Sequence, residues 1–132
     1  MFSHIAVGSN DLATSKTFYD ATFGVLGATP IMADPAAGRL AYANGGANFM
    51  ICTPINGDAA TFANGGTIGL GCTSPEQVDA WHEAGCAAGG TSCEDAPGIR
   101  EFPFGQLYLA YLRDPDGNKL CALHALTPLP GA

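Results

Sequence analysis

His4-Ile5-Ala6-Val7-Gly8 and Thr67-Ile68-Gly69-Leu70-Gly71 are short apolar runs 63 positions apart, and laying one over the other decides the fold. Without a gap, the same offset sets Phe18 over Trp81, Tyr19 over His82 and Gly27 over Gly90. Further on, Leu40-Ala41-Tyr42 matches Leu109-Ala110-Tyr111 after a short insertion. Self-similarity at a fixed spacing marks a repeated supersecondary unit. Each half opens with a strand, passes through a helix and closes with further strands, which predicts βαβββ twice.

The helices carry start signals. Asp11 is placed to cap the first, whose face holds Leu12, Ser15, Phe18, Tyr19 and Thr22 at helical spacing. Ser74-Pro75-Glu76-Gln77 opens the second with a Ser cap, Pro at the first position and Gln to complete a capping box. Val78, Trp81 and His82 then share a face, and Gly85 with Gly89-Gly90 are expected to end it. Strands are predicted near residues 2–8, 28–34, 38–44 and 47–53, then 66–73, 90–96, 106–113 and 118–125. Asn44-Gly45-Gly46 and Asp114-Pro115-Asp116-Gly117-Asn118 are the corresponding tight turns.

A chain of 132 residues is expected to form a single domain over 1–132, with module one about 1–60 and module two about 64–126. Hydrophobic residues are 47% and charged residues 13%, enough apolar material for one core. The net charge of −7 opposes a polyphosphate backbone and an anionic membrane surface, so no nucleic acid and no membrane is expected as a partner. No apolar run reaches the roughly 18–20 residues of a membrane-spanning helix, and the start does not read as a signal peptide. Cys52, Cys72, Cys86, Cys93 and Cys121 are dispersed, odd in number and without a C-x-x-C pair. That pattern fits reduced thiols in a cytoplasmic protein better than a disulfide framework.

The doubled βαβββ unit, Phe18-Tyr19 in the first helix and the run Arg113-Asp114-Pro115-Asp116-Gly117-Asn118-Lys119 resemble the vicinal-oxygen-chelate superfamily over about residues 2–125. That superfamily includes glyoxalases, bleomycin resistance proteins and extradiol dioxygenases. Ala96-Pro97-Gly98-Ile99-Arg100 further resembles a glyoxalase-like branch of it. The resemblance implies an α+β fold in which two tandem βαβββ modules form a cup-shaped, partly open β-sheet barrel with flanking helices. It also implies a homodimer and, often, a divalent metal at the floor of the cup. The family's ligand positions fall here on His4, Met50, Thr67 and Cys121, and only His4 carries a family-type ligand. Thioether, hydroxyl and thiol are poor substitutes for the imidazole and carboxylate groups that hold Ni, Zn, Fe or Mn. The ligand set for a metal at His4 is therefore incomplete, and ordinary glyoxalase I chemistry is disfavoured.

Other chemistry stays open on the same residues. His4, Met50 and Cys121 would suit a soft ion such as Cu(I), although Met and Cys on apolar strands usually pack. Cys121 with His4 as its base would make a nucleophile, provided their strands adjoin. His124 falls on the opposite strand face from Cys121, and His82 lies on a helix. Arg100 offers a fork for a carboxylate or phosphate, against a surface pair with Glu101 or Asp95. Tyr42, Tyr108 and Tyr111, with Met50 and Thr67, are candidate ligand-binding residues or plain core. Asp114 and Asp116 read as turn-formers. A small-molecule binding protein of the glyoxalase/bleomycin-resistance type is the first expectation. The alternative is a divergent lyase, isomerase or dioxygenase centred on His4, and a third possibility is a cup filled by its own side chains.

Overall fold

The computed structural model describes residues 1–131. The first module runs β1 (His4–Gly8), α1 (Leu12–Leu26), β2 (Thr29–Asp34), β3 (Arg39–Asn44) and β4 (Ala47–Cys52). The second runs β5 (Ile68–Gly71), α2 (Pro75–Ala87), β6 (Thr91–Ser92), β7 (Gly98–Phe102), β8 (Gly105–Arg113) and β9 (Lys119–Ala125). Each module builds its own mixed sheet. One has the order β1-β4-β3-β2; the other has β5-β9-β8-β6, with β7 also paired to β8. The first strand of each module runs parallel to the last, and the remaining pairs are antiparallel. The fold is thus the α+β type with a cupped sheet and no closed barrel. Among the described residues no helix is long and apolar enough to cross a membrane.

The caps sit where the residue types put them. Asp11 accepts a hydrogen bond from the Thr14 amide, and that bond, the largest influence, holds its carboxyl below the usual range. Gly27 closes α1 in the left-handed region at φ 76°. Ser74 accepts from the Gln77 amide. The Gln77 side chain departs from a capping box: its Oε1 takes the Thr73 amide and its Nε2 donates to the Val25 carbonyl, tying α2 to the end of α1.

Two expectations for the second module need correction. The helix does not end at Gly85 but continues to Ala87. A Cβ on Gly85 would lie 2.2 Å from Leu112 Cδ1, so glycine is required there by the close approach of α2 to β8. The strand predicted over 90–96 shrinks to Thr91–Ser92, and a strand that was not predicted, β7, forms over Gly98–Phe102. That strand starts at Gly98, directly after Pro97, because Gly98 to Phe102 find a full antiparallel register on β8.

One core serves both modules. Phe18, Tyr19 and Phe23 of α1 meet Val78 and Trp81 of α2, with Leu40, Phe49 and Ile51 from one sheet and Leu112, Leu120 and Ala122 from the other. The turn after β8 fastens the modules together. Asp114, 3% exposed, accepts at Oδ1 from the Asp116 and Asn118 amides, and at Oδ2 from the Tyr19 hydroxyl at 2.6 Å and Asn118 Nδ2 at 2.8 Å. Asn118 Nδ2 also donates to the Gly8 carbonyl, while Asp116 accepts from the Asn10 amide and the Ser15 hydroxyl. Both aspartates are turn-formers, as expected; they also latch module two onto α1 and the loop before it, and Asn118 latches it onto β1.

Candidate functional site

Alternation along β1 sends Ile5 and Val7 into the core and leaves His4 and Ala6 exposed on the other face. His4 is in register with Asn48 of β4, and its Nδ1 lies 2.8 Å from the Ser3 hydroxyl. Met50 is half-buried two pairs further along, between Ala6 and Ala41. Thr67 is exposed just ahead of β5. Cys121 sits on β9 between Gly69 and Tyr111, 5% exposed, its thiol directed to the Ala122 carbonyl at 3.6 Å.

His4 and Cys121 therefore belong to different sheets, and no hydrogen bond joins them. Burial, the largest influence, pushes the Cys121 thiol up, so it stays protonated near neutral pH. The metal implied by the fold family fits this donor set poorly. An imidazole, a thioether and a hydroxyl with a buried protonated thiol offer one good ligand for a hard divalent ion. Among the described residues, no group of three or more His, Cys, Asp or Glu side chains is arranged to hold a metal ion.

The remaining candidates are spread around the fold. Tyr42 is buried and donates to Asp20 at 2.6 Å; burial first, and then that carboxylate, raises its pKa. Tyr108 faces α2 and donates to Asp79 at 2.9 Å. Tyr111 shares the Cys121 face and is pushed up to about 12, chiefly by burial. Arg100 spends one nitrogen on the Asp95 and Ala96 carbonyls, so the fork folds back onto its own loop and ignores both neighbouring carboxylates.

A cleft of about 280 Å³ opens beside His4. It is lined by His4 and Ile5 of β1, Phe23 and Leu26 of α1, Tyr42 of β3, Asn48 and Phe49 of β4, and Ile68 to Gly71 of β5, with Phe2 at the edge. Of the residues singled out from sequence, only His4 and Tyr42 line it. Phe2, Asn48, Gly69 and Gly71 were not singled out. The available signal was the Ile-Gly-Leu-Gly alternation, which puts apolar side chains on one strand face and none on the other. A second, more open groove lies at the far end of the first sheet, between Ala6, Arg39, Cys52 and Ile55.

The model for the family described as Glyoxalase/Bleomycin resistance protein/Dioxygenase superfamily matches residues 1–122. The crystal structure of a glyoxalase/bleomycin resistance protein from Albidiferax ferrireducens is 57% identical, with a TM-score of 0.89, covering 95% of this chain and 99% of that one. A glyoxalase-related enzyme from Fulvimarina pelagi is 23% identical with a TM-score of 0.73, over 93% of this chain and 86% of that one. A lactoylglutathione lyase from Agrobacterium tumefaciens is 20% identical with a TM-score of 0.66, over 93% and 92% of the two chains. The last two share the fold alone. No curated protein matches the chain.

Proposed function

The chain belongs to the Glyoxalase/Bleomycin resistance protein/Dioxygenase superfamily, and from that premise we propose that it is a small-molecule binding protein that works without a resident metal. One observation carries the proposal. The only family-type ligand, His4, stands at an apolar cleft with no carboxylate or second imidazole lining it. A concave, mostly apolar site with a few polar groups is what a small ligand needs, whereas Lewis-acid chemistry needs an open, well-held metal. Cys121 adds nothing nucleophilic to His4, because it lies on the other sheet and its thiol is protonated.

The protein is a homodimer in this proposal. β1 and β5 are each hydrogen-bonded on one side only, and the edge strand β2 exposes Ile31 and Met32. Unpaired edges with apolar side chains favour a second chain. Its five free cysteines support a reducing compartment, the cytoplasm, as its location in this proposal.

The test is a thermal-shift screen of small molecules with and without a chelator, followed by mapping of hits through amide chemical shifts. Hits that survive chelation and move His4, Asn48 and Ile68–Gly71 support the proposal. Hits that vanish with chelator, or that map only to the Arg39 groove, would overturn it.

A further inference from the structure

β5 reads Ile68-Gly69-Leu70-Gly71, and its two faces differ completely. Ile68 and Leu70 pack against the shared core, while Gly69 and Gly71 are exposed on the opposite face, and all four border the cleft. Neither glycine is needed by the backbone, for neither has a positive φ. Neither is needed by packing, since a Cβ added at either would meet nothing within 4 Å. Glycine weakens a strand interior, and in such a place it commonly marks the close approach of a ligand. The strand thus presents a flat strip of bare peptide to the cleft, on the face turned away from Phe23 and Phe49 of the shared core.

Size and charge narrow the occupant. A cavity of about 150 Å³ accommodates one benzene ring, and this cleft measures about 280 Å³. None of the residues lining it is Asp, Glu, Lys or Arg. An ion entering would lose water without gaining a counter-charge. Two of the polar lining groups are already used: the Tyr42 hydroxyl by Asp20, and Asn44 Nδ2 by the Leu26 carbonyl. Two are free among the described residues. The Asn48 carboxamide has no hydrogen bond, and His4 uses only Nδ1, leaving Nε2. These two residues are register partners on β1 and β4.

We propose, resting on the binding function above, that the ligand is an uncharged aromatic molecule of about two fused rings, seated flat on Gly69 and Gly71 with its polar group toward His4 and Asn48.

The probe is 2-naphthol. Its controls are 2-naphthoate (anionic), 2-naphthylmethylammonium (cationic) and decahydro-2-naphthol (neutral, not flat). Each is titrated into full-length protein and followed by amide chemical shifts. 2-Naphthol is expected to move the Gly69 and Gly71 amides, and each control to bind at least about tenfold more weakly, as loss of stacking or desolvation of a charge dictates. Gly69→Val and Gly71→Val, checked for folding by circular dichroism, are expected to weaken 2-naphthol at least about tenfold by filling the strip. If either valine variant fails to fold, Gly69→Ala and Gly71→Ala take its place, with a smaller loss expected. A charged or saturated control that binds as well as 2-naphthol, moving the same amides, would overturn the ligand class and leave the binding function standing. Binding of 2-naphthol that is unaffected by every glycine variant would overturn the seat. If none of the four probes moves a cleft amide, the ligand class is overturned, and the wider screen then decides the binding function by itself.

Discussion

Cys121 shows how burial decides what a residue can do. Its neighbours on the strand face, Tyr111 and Leu123, enclose it, and desolvation keeps its proton on. Cys72 is pushed up to about 11, again mainly by burial. Cys86, by contrast, is exposed on α2. Brief treatment with iodoacetamide near neutral pH should therefore alkylate Cys86 first and Cys121 and Cys72 last, as read by peptide mass spectrometry; prompt labelling of Cys121 would restore it as a nucleophile. Gly85 makes the same point about shape. Gly85→Ala should destabilise by about 1–3 kcal/mol in urea melts through overpacking against Leu112. None of this could be read from single letters, because a cysteine in an apolar run and a glycine near a helix end each have two common meanings. The strand count of the protein and the identity of its neighbours choose between them.

At the scale of elements, the sequence was most legible where a local rule acts alone. Asp11 and Ser74 cap their helices as their positions foretold. Ser74→Ala should lower stability by about 1 kcal/mol in a chemical melt, the usual loss for a Ser N-cap; no change would mean that Pro75 and the Thr73–Gln77 contact hold the end without it. Legibility failed where a partner from elsewhere in the chain intervened. Gln77 turned to Val25 because α1 ends beside it. β7 formed because β8 offers nine residues, more than the short β6 can pair. The cleft was hidden for the same reason: its walls come from both modules and from α1. Part of its lining is backbone left bare of side chains at Gly69 and Gly71.

For the molecule as a whole, the doubling of the module was plain from the repeat, and the way the two halves join was not. The join runs through buried hydroxyl–carboxylate contacts, above all Tyr19 on Asp114. Burial first, and then Asp114, raises the Tyr19 pKa well above its ordinary value of 10.0. Tyr42, Tyr111, Cys72 and Cys121 are raised as well. The sign follows from linkage: these groups keep their protons in the folded state, while the unfolded chain releases them at lower pH. Their contribution is complete below the unfolded values and is lost as pH rises through the folded ones. Stability should therefore fall steadily from about pH 9 upward, seen as a decreasing urea midpoint. Tyr19→Phe should flatten part of that slope, and an unchanged slope would remove Tyr19 from the account.

Metal content tests the central claim most directly. The protein would be purified without an affinity tag or chelator, dialysed against Zn, Ni, Fe and Cu(I) in turn, and examined by elemental mass spectrometry. Binding without a resident metal predicts far less than one ion per chain in every case, and the same trace in His4→Ala. A first-row metal near one per chain, lost in His4→Ala, would contradict it and return His4 to the centre of an enzyme.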